Sequence, residues 1–176
     1  IDADAFANVW SMIEPALEKY SAKPAYHNFG ATLTFADMEA KSRDLAAYLQ
    51  NNLGLKKGDR IAIMTPNMMA FPITMCANIR SGLVQVNVNP LYTPRELEHQ
   101  LNDADAETIV IYSGSTPVLA EIIAKTKIKN VIVANLGDAG NDKVPSPPTD
   151  ERLTNVISFT DALAAGAGKE FVAPEV

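Results

Sequence analysis

The chain is 176 residues long and 47% hydrophobic, and it carries 21 acidic residues against 15 Lys and Arg, a net charge of −6. That length and apolar content suffice for one domain with its own core, and the acidic balance argues against a basic nucleic-acid binder and against general attraction to anionic lipid. The lone Cys76 cannot close an internal disulfide, no Cys/His set has zinc-ligand spacing, and no run of about 18 apolar residues is present to cross a bilayer. A soluble protein of a reducing cytosol is expected, trimmed at its front because Ile1 is not an initiator residue.

Phe6, Val9, Trp10, Ile13 and Leu17 recur three or four apart, which predicts an amphipathic helix over Asp4 to Tyr20, kinked or broken at Pro15. In "PAYHNFGATLTF" two short β-prone runs flank Asn28 to Ala31, a hairpin whose turn uses Gly30 at positive φ. Thr34 then caps a second helix, with Asp37 returning the hydrogen bond and Met38, Leu45, Ala46 and Leu49 as its apolar stripe, ending near Gly54. From Gly58 onward, "DRIAIMTPN", "LVQVNVNP", "TIVIYSG" and "NVIVANLG" are β-branched runs closed by turn residues and separated by stretches of helical spacing. Such alternation calls for an α/β fold, a mostly parallel sheet with right-handed crossovers and helices on both faces, preceded by the small helix and hairpin. Ile109 to Ile111 and Val131 to Val133 suit central strands buried on both sides, whereas Val86-Asn87-Val88-Asn89 alternates and should keep a semi-exposed face. Pro90 ends that strand, and Thr93, Pro94 and Glu96 supply the N-cap, first position and capping box of the next helix. Residues 135–152 hold three prolines and two glycines without periodicity and are expected to form a flexible surface loop. A short strand at Asn155 to Phe159, a helix from about Asp161 to Gly166 and an extended "KEFVAPEV" complete the chain.

Few residues invite a chemical reading. His99 sits one turn into a helix beside Glu96 and Glu98, with no serine, cysteine or second histidine spaced to work with it, so an exposed surface position is expected. His27, in the hairpin, is read the same way. Cys76 lies among Ile73, Thr74, Met75 and Ala77, the usual setting of a buried, unreactive thiol. "YSGST", residues 112–116, follows a strand and opens a helix, so its amides could hold a phosphate. It lacks the lysine and two-glycine spacing of a phosphate loop, and Ser115 or Thr116 is expected to act as a plain helix cap. Arg80, in the last turn of its helix before Ser81-Gly82, should offset the helix dipole, with anion binding as the lesser alternative. Met64, Met68, Met69 and Met75 fall within 12 residues beside Phe71 and Ile73. Core filling is the simpler reading of this cluster; the functional one is an acyl-pocket wall made by Met68, Met69, Phe71 and Met75. No catalytic, cofactor-binding or metal-ligating residue is assigned.

The stretch "LTFADMEAKSRDLAAYLQNNLGLKKGDRIAIMTPNMMAFPITMCANIRSGLVQVNVNPLYTPRELEHQLNDADAETIVI" resembles the N-terminal region of the adenylate-forming enzymes, the superfamily of acyl-CoA synthetases, luciferases and peptide-synthetase adenylation domains. The superfamily-wide signals are "LTF" with its helix, "GLKKGDRIAI", Pro66-Asn67 and the G-x-x-x-x-N-x-N-P of Gly82 to Pro90. The fuller "VNVNPLYTPRELEHQLND" is similar to bacterial long-chain fatty-acid–CoA ligases in particular. The likeness runs from the first helix to "FVAPEV" and leaves out only 135–152; Ser81 and Gln85 stand where the family tends to have alanine or apolar residues.

The resemblance implies that residues 1–176 form the N-terminal subdomain of an AMP-binding domain and stop ahead of its phosphate loop. It implies for the parent enzyme that ATP and a long-chain fatty acid give an acyl-adenylate and diphosphate with Mg²⁺, after which CoA displaces AMP. The family's phosphate loop, adenine and ribose motifs, magnesium-binding glutamate and lid lysine lie further along, and no position here matches one; Lys56 and Lys57 belong to a strand-entry loop. The chain alone is therefore expected to be an inactive scaffold that binds neither ATP nor Mg²⁺. Its implied partners are the downstream subdomains, fatty acid, ATP and CoA, in the cytoplasm, with peripheral contact at the inner membrane and a homodimer among the family's options. A ligase of another acyl or aryl specificity and a free-standing α/β ligand-binding module are the alternatives.

Overall fold

The computed structural model describes residues 5–175. The first helix, α1 (Val9–Lys19), begins where Asn8 can cap it: Asn8 Oδ1 accepts from the Ser11 amide at 2.8 Å, and Ser11 Oγ accepts from the Asn8 amide at 3.1 Å. The predicted start at Asp4 lies outside the described residues, and Phe6 precedes the helix. Pro15 stays inside it, removing one backbone donor without ending the helix. The hairpin of β1 (Pro24–Asn28) and β2 (Ala31–Thr34) turns through Phe29 and Gly30, at φ 49° and 76°. Two consecutive left-handed residues are what a two-residue hairpin loop of type I′ needs, and Phe29 takes its share without glycine's freedom. Thr34 and Asp37 then cap α2 (Phe35–Asn51) reciprocally, with the Thr34 amide donating to Asp37 Oδ2 at 2.8 Å.

A parallel sheet follows: β3 (Arg60–Met64), β4 (Val84–Asn87), β5 (Thr108–Tyr112), β6 (Asn130–Ala134) and β7 (Val156–Ser158), in the spatial order β4-β3-β5-β6-β7. Helices α3 (Ala70–Ser81), α4 (Pro94–Asp103) and α5 (Thr116–Ile122) form the first three crossovers. Residues 135–155 join β6 to β7 without a regular element, and α6 (Phe159–Gly166) follows β7. Because side chains alternate along a strand, the central strands feed two cores. Ile61, Val110 and Ile132 pack with Leu17 of α1, Leu45 and Leu49 of α2, Ile73 of α3 and Phe159 of α6. Ala62, Met64, Ile109, Ile111 and Val133 pack with Leu97 and Leu101 of α4 and Leu119 and Ile122 of α5. The sheet is thus a middle layer covered on both faces, the α/β architecture expected. Each such Leu or Ile stabilises the fold by roughly 1.5–3 kcal/mol when fully buried.

Edge position explains the alternating strand β4, where Val84 is 47% exposed while Val88, just beyond it, is buried. Beyond Pro90, the capping box forms as the spacing predicts: the Thr93 amide donates to Glu96 Oε2 at 2.8 Å, and Pro94 opens α4. At the other end of the chain, an extended tail lies across the end of α2; Val176 lies outside the described residues. Gln50 holds that tail as a neighbouring strand would, donating from Nε2 to the Val172 carbonyl at 2.9 Å and accepting its amide at 3.0 Å. Asn51 donates to the Glu170 carbonyl at 2.9 Å and Lys57 to that of Glu175 at 2.7 Å, so Lys57 also holds the tail.

Candidate ligand groove at the carboxyl end of the sheet

The chain leaves β3 for β4 on one side and returns to β5 on the other, so its direction reverses between β3 and β5. In open α/β sheets the crevice beyond the carboxyl ends of such strands is where ligands bind. Thr65 Oγ1 and Ser113 Oγ, one residue past β3 and β5, are buried with no hydrogen-bond partner among the described residues. The turn after β3 runs through Pro66-Asn67 into α3, and Asn28 Nδ2 of the hairpin donates to the Asn67 carbonyl at 2.9 Å. Between hairpin and α3 lies a groove of about 290 Å³, with Tyr26, His27 and Asn28 on one side and Met68, Met69, Phe71 and Met75 on the other.

All four residues of the predicted apolar wall thus line one groove, although nothing in the sequence placed the hairpin opposite them. Met68 and Met69 are buried, and Phe71 and Met75, one turn apart on α3, are half-buried. Met64 goes to the opposite core, beneath α4. No Lys, Arg, Asp or Glu lines the groove. Partial burial, helped by the nearby Cys76, raises the Tyr26 pKa, and burial pushes the Cys76 thiol up as well, so both stay protonated at neutral pH. A surface of thioethers, one phenyl ring, a phenol, an imidazole and amides, without Lys or Arg, suits a hydrocarbon chain better than a phosphate.

His27 and His99 are exposed, and His27 Nδ1 lies 2.9 Å from Thr32 Oγ1 across the hairpin. The expected cap at Ser115 or Thr116 does not form: α5 starts without a side-chain cap, behind a 3₁₀ turn at Ser113–Ser115. Ser115 Oγ donates to the Pro90 carbonyl at 3.3 Å, while Thr116 Oγ1 donates to the Ser113 carbonyl and accepts from the Asp150 amide at 3.0 Å. These hydroxyls tie the β5–α5 corner to neighbouring loops, because burial obliges them to find partners wherever the tertiary fold offers them. Arg80 does sit in the last turn of α3, and its side chain also reaches beyond it. Gly82, in the left-handed conformation, closes α3. Arg80 turns to α2, 2.7 Å from Glu39 Oε1, 3.0 Å from the Glu39 carbonyl and 3.2 Å from Ser42 Oγ. The rings of Trp10 and Phe171 lie 4.3 and 5.6 Å from its guanidinium carbon. At 5% exposure the charge needs those partners, and Glu39 takes the place of an external anion. Among the described residues no three His, Cys, Asp or Glu side chains converge as a metal site, and no helix is long and apolar enough to cross a membrane.

The sequence pattern of the family described as AMP-binding enzyme matches residues 13–164. A long-chain-fatty-acid–CoA ligase of Salmonella typhimurium is 40% identical over all of this chain, which covers 33% of that relative. Its counterpart in Haemophilus influenzae is 36% identical with the same coverage. A solved long-chain-fatty-acid–CoA ligase from Archaeoglobus fulgidus matches 96% of this chain and 32% of its own, with a TM-score of 0.74 at 23% identity. An anthranilate–CoA ligase in complex with anthranoyl-AMP matches 90% of this chain and 28% of its own, with a TM-score of 0.76 at 18% identity. At those identities the structural likeness speaks for the fold alone. The chain spans 33% of the length of the curated relatives it matches over its whole extent. With the family pattern running from α1 through β7 into α6, the chain belongs to the AMP-binding enzyme family.

Proposed function

We propose that this chain is the N-terminal α/β part of a long-chain fatty-acid–CoA ligase, and that its groove is one wall of the acyl site. The observation that carries the proposal is the convergence of Met68, Met69, Phe71 and Met75 on one groove without Lys, Arg, Asp or Glu, between the hairpin and α3 and beside the turn that follows β3. Identity of 40% to a ligase of that name supports the class of acid. In that reaction ATP and the fatty acid give an acyl-adenylate and diphosphate with Mg²⁺, and the CoA thiol then displaces AMP. Attack on a triphosphate calls for preorganised cations. The groove carries no Lys or Arg, so these side chains are given no part in the steps through ATP or Mg²⁺. Their work is to take hydrocarbon out of water, worth about 0.8 kcal/mol per buried methylene, and to hold the acid tail-first with its carboxylate outside the groove. The same reading puts the enzyme in the cytoplasm, in peripheral contact with the membrane that delivers its acids.

Calorimetric titration of dodecanoate into the chain tests this. Saturable one-site binding is expected, weakened roughly tenfold by Met75→Arg because a buried guanidinium would lose its hydration there. Incubation of the chain with ATP, dodecanoate and CoA should form no acyl-CoA. Unsaturable uptake, or turnover by the chain alone, contradicts the proposal.

A further inference from the structure

The hairpin side of the groove is not hydrogen-bonded to the parallel sheet; β1 and β2 form a separate two-stranded sheet. An isolated hairpin is marginal in water, and this one also carries Phe29 in the left-handed region. Leu33 anchors the hairpin in the core beside Met68 and Met69, and two hydrogen-bonded ties then fix the gap between Tyr26–Asn28 and the methionine wall. One tie is Asn28 to Asn67. The other comes from the stretch after β6 that shows no periodic pattern.

Residues 135–141 are folded as a tight turn. The Asn135 amide donates to Asp138 Oδ2 at 2.8 Å, and the amides of Gly140 and Asn141 donate to the Gly137 carbonyl at 3.1 and 2.9 Å. The Leu136 amide, donating to Ser146 Oγ at 2.8 Å, anchors the turn from behind. Gly137 has no room for a side chain, since a Cβ there would collide with the Asn141 carbonyl. The tip of the turn meets both walls of the groove. Asn141 Nδ2 donates to the Phe29 carbonyl at the hairpin turn, at 3.0 Å. A Cβ placed on Gly140 would stand 3.0 Å from the Ala31 Cβ and 3.6 Å from the Met69 Cγ.

We propose that Gly140 and Asn141 are positioning residues that set the width of the groove, and so the acyl chains it admits. Asn141 keeps the hairpin tip in place by a donor to backbone, and the missing side chain at Gly140 lets Ala31 and Met69 approach the turn. The ligand in this inference rests on the acyl reading above; the geometry does not. Asn141→Ala deletes the donor, and Gly140→Leu drives a side chain against Met69 and Ala31.

The test has two arms on the purified chain. In the first, ¹³C-methyl methionine and amide NMR without ligand should show Asn141→Ala shifting or broadening the amides of residues 26–30 and the methyls of Met69 and Met75, with thermal stability nearly unchanged. In the second, Gly140→Leu should raise the dodecanoate Kd about fivefold and the octanoate Kd less, while Asn141→Ala should narrow the wild-type difference between the two acids. If Gly140→Leu fails to fold, the Asn141→Ala measurements decide. Hairpin and methyl signals unmoved by Asn141→Ala would overturn the positioning role whichever acids bind. Wild-type protein that binds neither acid would instead remove the acyl reading, with the NMR arm still deciding the geometry.

Discussion

Arg80 shows most plainly what one residue does here. Its guanidinium joins α1, α2, α3 and the tail through Trp10, Glu39, Ser42 and Phe171, and it is almost wholly buried, whereas the Glu39 side chain is 38% exposed. That asymmetry decides which partner is costlier to lose. Glu39→Ala strands a cation in the interior and should cost about 2–3 kcal/mol, while Arg80→Met keeps the packing and lets Glu39 turn to water, at about 1–2 kcal/mol. Urea denaturation of both variants checks the order; equal or reversed costs contradict a compensated buried charge. None of this was legible in the sequence, since Arg80 sits where a helix dipole would want a cation and its partners lie far off in the chain. The Thr34–Asp37 and Thr93–Glu96 boxes were legible because each closes within three residues.

At the scale of elements, the β-branched runs marked every strand of the parallel sheet, and helical spacing pointed to the stretches that hold the α-helices of the described residues, though it set no bounds for α3 or α5. The lapses come where tertiary contact replaces local chemistry. α5 has no side-chain cap because Thr116 serves the Asp150 amide; α1, by contrast, is set by a local signal that apolar spacing alone passes over, the Asn8–Ser11 capping box ahead of Val9. Gly166 is instructive. Read as a helix-ending glycine, it does end α6, yet its φ is not in the left-handed region, and a Cβ there would collide with the Asp44 carbonyl of α2. It is a glycine of close helix packing. Gly166→Ala should therefore destabilise by about 1–3 kcal/mol, a fall in Tm of roughly 3–9 °C for a chain this size, and thermal unfolding at or above the wild-type temperature would contradict that contact.

For the whole molecule, the α/β order and its resemblance were readable, and so was the cluster of Met68, Met69, Phe71 and Met75, but not the groove that they line. Met68 and Met75 face a groove only because the hairpin, some 40 residues earlier, lies opposite them, while the turn at 137–141 touches Met69 and the hairpin tip, and neither relation leaves a periodic trace. The same topology supplies the division of labour proposed here, in which a groove without Lys, Arg, Asp or Glu holds the hydrocarbon and the nucleotide chemistry lies elsewhere. The most direct test is photo-crosslinking of the chain with a fatty acid bearing a diazirine near its methyl end, followed by peptide mass spectrometry. Adducts should fall on Met68–Met75 and on Tyr26–Asn28, and be competed away by dodecanoate. Adducts concentrated instead in the cleft between α1 and α2, around Glu14 and Arg43, or insensitive to competitor, would contradict an acyl wall at the carboxyl end of the sheet.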